Sequence, residues 1–137
     1  MYPEELVAPM KEELTTVGFD ELTSAAEVDA ALAPESGTVL VMVNSVCGCA
    51  AANARPAVIH AAKHAKTPDR LTTVFAGVDA EAVAQARNYM LPYPPSSPSI
   101  ALFKDGKLVH FIERHHIEGR PADMIAENLT AAFDEHC

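Results

Sequence analysis

The predicted fold and chemistry of this chain are organised around the stretch Asn44-Ser45-Val46-Cys47-Gly48-Cys49-Ala50. It follows the branched apolar run 38–43 and precedes an alanine-rich stretch, which places two cysteines where a predicted strand ends and a predicted helix begins. The first N–H groups of a helix lack partners within the helix, and the helix dipole leaves partial positive charge there. Because both favour a thiolate, we hypothesise that Cys47 and Cys49 carry thiol–disulfide chemistry.

Composition bounds the class of protein. The chain has 137 residues, 49% of them hydrophobic, which predicts one globular domain over residues 1–137. No apolar run reaches the ~18 residues of a membrane span, and the acidic start Met1-Tyr2-Pro3-Glu4-Glu5 differs from a secretory signal, so we expect a cytoplasmic protein. A net charge of −9 with scattered basic residues argues against a nucleic-acid partner. In a reducing compartment, two close cysteines are more often catalytic or metal-binding than structural.

Hydrophobic periodicity and capping signals outline the other elements. They predict helices at about 3–17, 24–33, 49–66, 79–91 and 121–135, and strands at about 38–43, 71–76, 99–104 and 107–112. Pro56 removes one hydrogen bond inside the third helix and predicts a kink there. Asp105-Gly106 predicts a two-residue hairpin turn. The pattern indicates an α/β fold, in which a four-stranded mixed sheet is flanked by helices on both faces.

The order of these features resembles the thioredoxin fold. A cysteine motif ends a strand, a kinked helix follows, and Ser97-Pro98 precedes a terminal hairpin and helix. In that fold a cis-proline lies beside the active cysteines, and Pro98 occupies the matching place. The resemblance therefore implies a cis bond at Pro98, with the backbone of Ser97 free to pair with an extended substrate segment. It also implies that helices replace the first strand of thioredoxin.

Longer matches narrow the resemblance to the bacilliredoxin family. They cover the stretches 43–51, 55–57, 73–77, 95–99, 118–119 and 128–137. The resemblance implies that the protein removes bacillithiol from S-bacillithiolated proteins: Cys47 attacks the mixed disulfide and takes up bacillithiol, and Cys49 resolves the adduct. Bacillithiol is then a co-substrate, and no bound cofactor is expected. The expected partners are S-bacillithiolated or disulfide-bonded proteins and a low-molecular-weight thiol, whereas the oligomeric state is left open. A general disulfide isomerase or reductase is the nearest alternative.

The one-residue spacing of the cysteines carries its own predictions. Cys47 lies at the loop–helix junction, so we expect it to be more exposed than Cys49 and to act as the nucleophile. A Cys47–Cys49 disulfide closes a tight ring that Gly48 relieves only in part, and a strained disulfide is more easily reduced. Arg55, six residues beyond Cys49, is a candidate positive group near the thiolate or near the carboxylates of bacillithiol. The alternative role for Arg55 is ordinary helix packing.

A zinc site is the alternative from a different class of function. Cys47 and Cys49 could bind a metal ion together with Cys137 or His136. Their spacing is one residue shorter than the common Cys-X-X-Cys zinc knuckle and no second pair exists, so we expect no metal. Cys137 is otherwise expected to be a terminal thiol without a role, and the alternatives are exchange with the active pair or a bridge between two chains.

Four histidines and two polar residues are assigned no chemistry. The pairs His60/His64 and His115-His116 are expected to be solvated or to pack at the surface. Asn44 and Ser45 are expected to shape the turn before Cys47.

Overall fold

The computed structural model describes residues 2–137 and contains one sheet with helices around it. Within these residues there are five α-helices: α1 (Glu4–Thr15), α2 (Ala25–Ala31), α3 (Arg55–Ala61), α4 (Ala80–Tyr89) and α5 (Ala122–His136). The same residues form five strands: β1 (Asp20–Glu21), β2 (Thr38–Asn44), β3 (Arg70–Phe75), β4 (Ser99–Lys104) and β5 (Lys107–Ile112). A π-helical turn, Ala50–Ala54, precedes α3, and a 3-10 turn, Arg114–His116, follows β5.

The strands lie in the order β1-β3-β2-β4-β5. Strands β1 and β2 flank β3 in parallel, whereas β4 pairs antiparallel with β2 and with β5. The predicted hairpin is confirmed, because Asp105 and Gly106 both have positive φ, as a two-residue turn between twisted strands requires. Strand β2 is central and buried along its whole length, so its carboxyl end presents the cysteine loop on a rigid support.

Alternate residues of β2 serve two hydrophobic cores. Leu40 and Met42 face a layer formed by α3 and α5 with the end of α1. Val39, Val41 and Val43 face the other layer, formed by α2 and α4. Side chains of a strand point to opposite faces in turn, so a strand covered on both faces must be apolar throughout. The predicted α/β architecture is thereby confirmed.

The sheet has five strands, one more than the sequence predicted. Strand β1 contains only Asp20 and Glu21, which pair with Thr72 and Thr73 of β3. Two acidic residues have low strand propensity and show no alternation, so the strand exists because β3 offers it backbone partners. The expectation that helices fully replace the first strand of thioredoxin is therefore wrong.

The predicted helix 49–66 is shorter and less regular than expected. Pro56 has no N–H to donate to the carbonyl of Ala52. The structure has a π-helical turn over Ala50–Ala54 instead of a simple kink. Hydrogen bonds in such a turn join residues five apart rather than four, and the N–H of Arg55 accordingly bonds to the carbonyl of Ala50. Helix α3 then ends at Ala61. Among residues 2–137, the helices fall short of the length and apolarity needed to cross a bilayer.

Candidate active site

The loop after β2 is held from behind by a buried arginine. The Arg55 side chain is 2% exposed, and its Nη1 donates to Asn44 Oδ1 at 3.0 Å and to the Ser45 carbonyl at 2.9 Å. The Ser45 amide donates to the same Asn44 oxygen at 2.9 Å. Helix α1 adds Glu13, whose carboxylate accepts from Arg55 Nε at 3.2 Å. These contacts fix the path of the backbone that leads to Cys47.

The two loop thiols lie against each other. Cys47 Sγ is 2.8 Å from Cys49 Sγ and 3.1 Å from Ser45 Oγ, and both cysteines are free thiols. The Ala50 N–H also stabilises the Cys47 sulfur, from the start of the π-helical turn. A thiolate at Cys47 is thus surrounded by three groups that can donate a hydrogen bond to it.

The pKa values of the two thiols move in opposite directions. Burial raises the pKa of Cys47, but donation from Cys49, Ser45 and Ala50 and the charge of Arg114 outweigh burial, and the net shift is downward. Burial raises the pKa of Cys49, and its hydrogen bond to Cys47 and the negative charge on Cys47 raise it further. Of the two thiols, Cys47 therefore loses its proton first, and Cys49 keeps its proton to higher pH. Because a thiolate is the nucleophile in disulfide exchange, Cys47 is the candidate attacking residue.

Cys47 opens into a small pocket of about 210 Å³. Its lining residues are Tyr2, Ser45, Val46, Cys47, Ala76, Gly77, Ser97 and Arg114. The Ser97–Pro98 bond is cis, as the resemblance implies, and Val43 pairs with Ser99, which brings Pro98 beside the cysteine loop. Gly77 has φ +86°, and a Cβ there would lie 2.7 Å from the ring of Tyr2. The geometry places the Cys47 thiol in the lining of an open pocket.

Comparison with known proteins agrees with this geometry. The model of a family described as disulphide isomerase matches residues 2–137. The bacilliredoxin of Cytophaga hutchinsonii is 62% identical over 135 residues, covering 98% of this chain and 99% of that protein. The chain belongs to the bacilliredoxin family. A bacilliredoxin of Bacillus licheniformis is 52% identical over 137 residues, covering 99% of this chain and 95% of that protein.

Solved structures support the thioredoxin fold. A mutant thioredoxin of Halobacterium salinarum matches with a TM-score of 0.60 at 17% identity, over 88% of this chain and 91% of that one. Thioredoxin O2 of Arabidopsis thaliana, in its oxidised state, matches with a TM-score of 0.56 at 17% identity, over 86% and 96% of the two chains. The fold and the family together make this chain a thiol–disulfide oxidoreductase, as predicted.

Arg55 does not fit the predicted contact with substrate. Its guanidinium is buried behind the loop and is bonded to Asn44, Ser45 and Glu13, and the residue is not among those that line the Cys47 pocket. The arginine whose charge acts on both sulfurs is Arg114, which lines the pocket. The spacing of six residues after Cys49 correctly predicted that Arg55 lies near the motif. The spacing could not show that the Arg55 side chain points into the protein interior.

Two further expectations concern the exposure of the thiols and the backbone of Ser97. Cys47 and Cys49 are both half-buried, so the greater exposure expected of Cys47 stays a prediction, and the pKa values of the two thiols separate their roles. The Ser97 carbonyl is not free, because it accepts from Arg114 Nη1 at 3.0 Å. Within residues 2–137 the Ser97 amide has no hydrogen-bond partner. Contact of Ser97 and Pro98 with substrate stays a prediction.

Cys137 lies too far from the pair to share a metal ion with it. Its sulfur is close to Thr38 and Asp69, at the start of β2, whereas Cys47 follows the end of that strand. A strand rises about 3.3 Å per residue, so the six steps from Thr38 to Asn44 span about 20 Å. The alternative of a metal-binding module built from Cys47, Cys49 and Cys137 is therefore wrong.

Sequence reasoning missed two residues of the site. Ser45 was expected only to shape the turn, yet its hydroxyl contacts the Cys47 sulfur, and the Ser-X-Cys spacing was the available signal. Arg114 carried no local signal, because it reaches the site from the 3-10 turn after β5.

In the 3-10 turn after β5, ligand atoms of Glu113, His115 and His116 lie within 4.8 Å of one another. Glu113 and His116 already bond to each other's backbone N–H, which closes the turn that carries Arg114.

Proposed function

We propose that this chain removes bacillithiol from S-bacillithiolated proteins, with Cys47 as the nucleophile and Cys49 as the resolving thiol. The observation that carries the proposal is the asymmetry of two thiols 2.8 Å apart, of which only Cys47 has a lowered pKa and lines the open pocket. The identity of 51–62% to curated bacilliredoxins supports the choice of thiol. The substrates are then cytoplasmic proteins that carry a mixed disulfide, and bacillithiol is a co-substrate rather than a bound cofactor.

The first step transfers bacillithiol to Cys47. The Cys47 thiolate attacks the bacillithiol sulfur of the mixed disulfide, the old S–S bond breaks, and the substrate protein leaves as a thiolate. Ser45 and the Ala50 N–H hold the attacking sulfur in the pocket, where the mixed disulfide can approach. No net oxidation occurs, because one disulfide is exchanged for another.

The second step releases bacillithiol. Cys49 gives up its proton and attacks the Cys47 sulfur, and bacillithiol leaves as a thiolate while a Cys47–Cys49 disulfide forms. Negative charge on Cys47 is one reason that the pKa of Cys49 is raised in the reduced pair. This charge disappears when Cys47 enters the mixed disulfide, so the pKa of Cys49 falls when its thiolate is needed. A further thiol must then reduce the Cys47–Cys49 disulfide by two electrons before the next cycle.

Mass spectrometry of cysteine variants tests the scheme. Wild type, Cys47→Ala and Cys49→Ala are each mixed with a bacillithiolated model protein, and the mass of every chain is followed over time. Transfer should require Cys47, and Cys49→Ala should accumulate a bacillithiol adduct on Cys47. Cys137→Ala is the matched control and should behave as wild type, since Cys137 lies at the other end of β2. Transfer that survives Cys47→Ala would refute the assignment.

A general disulfide isomerase is the second candidate, and the description of the matching family favours it. Isomerisation needs a nucleophile that attacks and is expelled again, so it should persist in Cys49→Ala. Refolding of scrambled ribonuclease A by wild type and by Cys49→Ala measures this activity. If bacillithiol removal is the main activity, reshuffling should be much slower than transfer of bacillithiol to Cys47 under the same conditions.

A further inference from the structure

The short turn after β5 fixes Arg114 at the edge of the Cys47 pocket. Its backbone N–H donates to Ser96 Oγ at 3.4 Å, and its Nη1 donates to the Ser97 carbonyl at 3.0 Å. Its Nε pairs with the carboxylate of Glu118, one helical turn along the chain. The side chain is nonetheless 44% exposed, and within residues 2–137 its Nη2 has no hydrogen-bond partner. Arg114 lines the pocket, so its guanidinium has an unused donor at the pocket wall.

Arg114 is also the cation that acts on the reacting sulfurs. Its charge favours the thiolate on both Cys47 and Cys49, whereas the nearby Glu118 opposes it at Cys49. Arg55, the other arginine near the loop, is buried and bonded to Asn44, Ser45 and Glu13. An anionic group that arrives with a small thiol at Cys47 would therefore meet Arg114 as its cationic neighbour in the pocket wall.

We propose that Arg114 forms a subsite for a carboxylate group of the low-molecular-weight thiol that is transferred to Cys47, an inference that rests on the proposed function. A guanidinium presents its donors as a planar fork that matches the two oxygens of a carboxylate. The present partner of Nη1 is a neutral carbonyl, which an anionic oxygen would replace as the stronger acceptor. A pocket of about 210 Å³ has room for one carboxylate-bearing arm of a thiol, but not for a folded protein segment.

The subsite makes a prediction about small disulfides that does not depend on bacillithiol. In a Cys49→Ala, Cys137→Ala background, Cys47 is the only thiol and forms a stable adduct. Its rate of reaction is measured with glutathione disulfide, which carries carboxylates, and with hydroxyethyl disulfide, which is neutral. The ratio of the two rates, taken at one pH, cancels a change in the thiolate fraction of Cys47, so a change in this ratio between variants of Arg114 reports recognition of the charged disulfide.

We expect Arg114→Gln to lower this ratio by about three- to fivefold, the effect of losing a partly exposed ion pair. Arg114→Lys, which keeps the charge but not the fork, should retain part of the preference. The preference of the parent should also weaken between about 0.1 M and about 1 M salt, whereas that of Arg114→Gln should not. The matched control is Arg70→Gln, which removes an arginine of similar exposure, 42%, at the far end of β3.

Two results would overturn the subsite. Either Arg114→Gln slows both disulfides by the same factor, which leaves Arg114 only an effect on the thiolate, or Arg70→Gln changes the ratio equally. Unfolding midpoints of all variants are compared to exclude loss of the fold. Failure of the proposed function would give a different result. The variant with Cys47 as its only thiol would still prefer the disulfide that carries carboxylates, but the wild type would not take bacillithiol from a bacillithiolated protein.

Discussion

Replacement of Arg55 by methionine should destabilise the protein although it leaves both thiols in place. Arg55→Met keeps an unbranched side chain of similar length and removes the guanidinium that donates to Asn44, Ser45 and Glu13. The carbonyl of Ser45 then lies behind the loop without its donor. Asn44 Oδ1 keeps one partner, the Ser45 amide at 2.9 Å.

The size of the effect follows from these contacts. Hydrogen bonds from a charged donor contribute about 1.5–3 kcal/mol each. The pair with Glu13, whose side chain is 44% exposed, adds at most about 1 kcal/mol. Because methionine is uncharged, folding of the variant does not require desolvation of a buried charge, and this offsets part of the lost free energy. We therefore expect the free energy of unfolding to fall by about 2–4 kcal/mol, or the melting temperature by about 8–16 °C for a domain of this size.

Urea unfolding followed by far-UV circular dichroism measures the change. The slope of the unfolding free energy against urea concentration should be the same in Arg55→Met and wild type. The shift in the urea midpoint then measures the change in stability. Arg70→Met is the matched control, because Arg70 is 42% exposed and pairs only at the surface with Asp20, and it should shift the free energy by no more than about 0.5 kcal/mol. If Arg55→Met lies as close to wild type as this control, the buried guanidinium does not anchor the loop.

The remaining predictions concern the thiols. Because the pKa of Cys47 lies below its ordinary value of 9.0, its alkylation by iodoacetamide should persist below that pH and be lost only as the pH falls through the lowered pKa. Burial raises the pKa of Cys137, so its alkylation rate should reach half of its maximum only above pH 9.0; peptide mass spectrometry across pH separates the two, and equal profiles would contradict the assignment. Ser45→Ala removes a donor to the Cys47 sulfur and should slow alkylation near neutral pH but not at high pH; a uniform slowing would point to lost access instead. A stabilised Cys47 thiolate favours the reduced pair, so equilibration with glutathione should give a potential above the approximately −270 mV of thioredoxin, and a value that low would reject the prediction.

The parts of the fold that could be predicted are those with a local physical cause. The apolar run of β2 has to be covered on both faces, and Asp105-Gly106 fits the positive φ angles of its turn. Proline at position 56 correctly marked a disturbed helix. Its form, a π-helical turn, depends on how the chain around Arg55 packs and bonds, which no local pattern encodes.

The parts that could not be predicted depend on tertiary contacts. Strand β1 is two acidic residues that gain their structure from β3. Arg55 was expected near the thiolate or the substrate but is buried behind the loop, and Arg114, which carried no signal in the sequence, borders the pocket. The two cysteines were recognisable from their place at a strand–helix junction, whereas the pKa of Cys47 also depends on the charge of Arg114, which comes from a distant segment of the chain.

The position of Tyr2 in the pocket wall has a practical consequence for labelled forms of the protein. An affinity tag joined ahead of Tyr2 would leave the chain beside Gly77 and Cys47, where it could shield the thiolate from large protein substrates. A tag joined after Cys137 leaves from the opposite end of β2, about 20 Å away. Kinetic comparisons between small disulfides and modified proteins are therefore best made with carboxyl-terminal tags, since an amino-terminal tag would mimic a substrate preference.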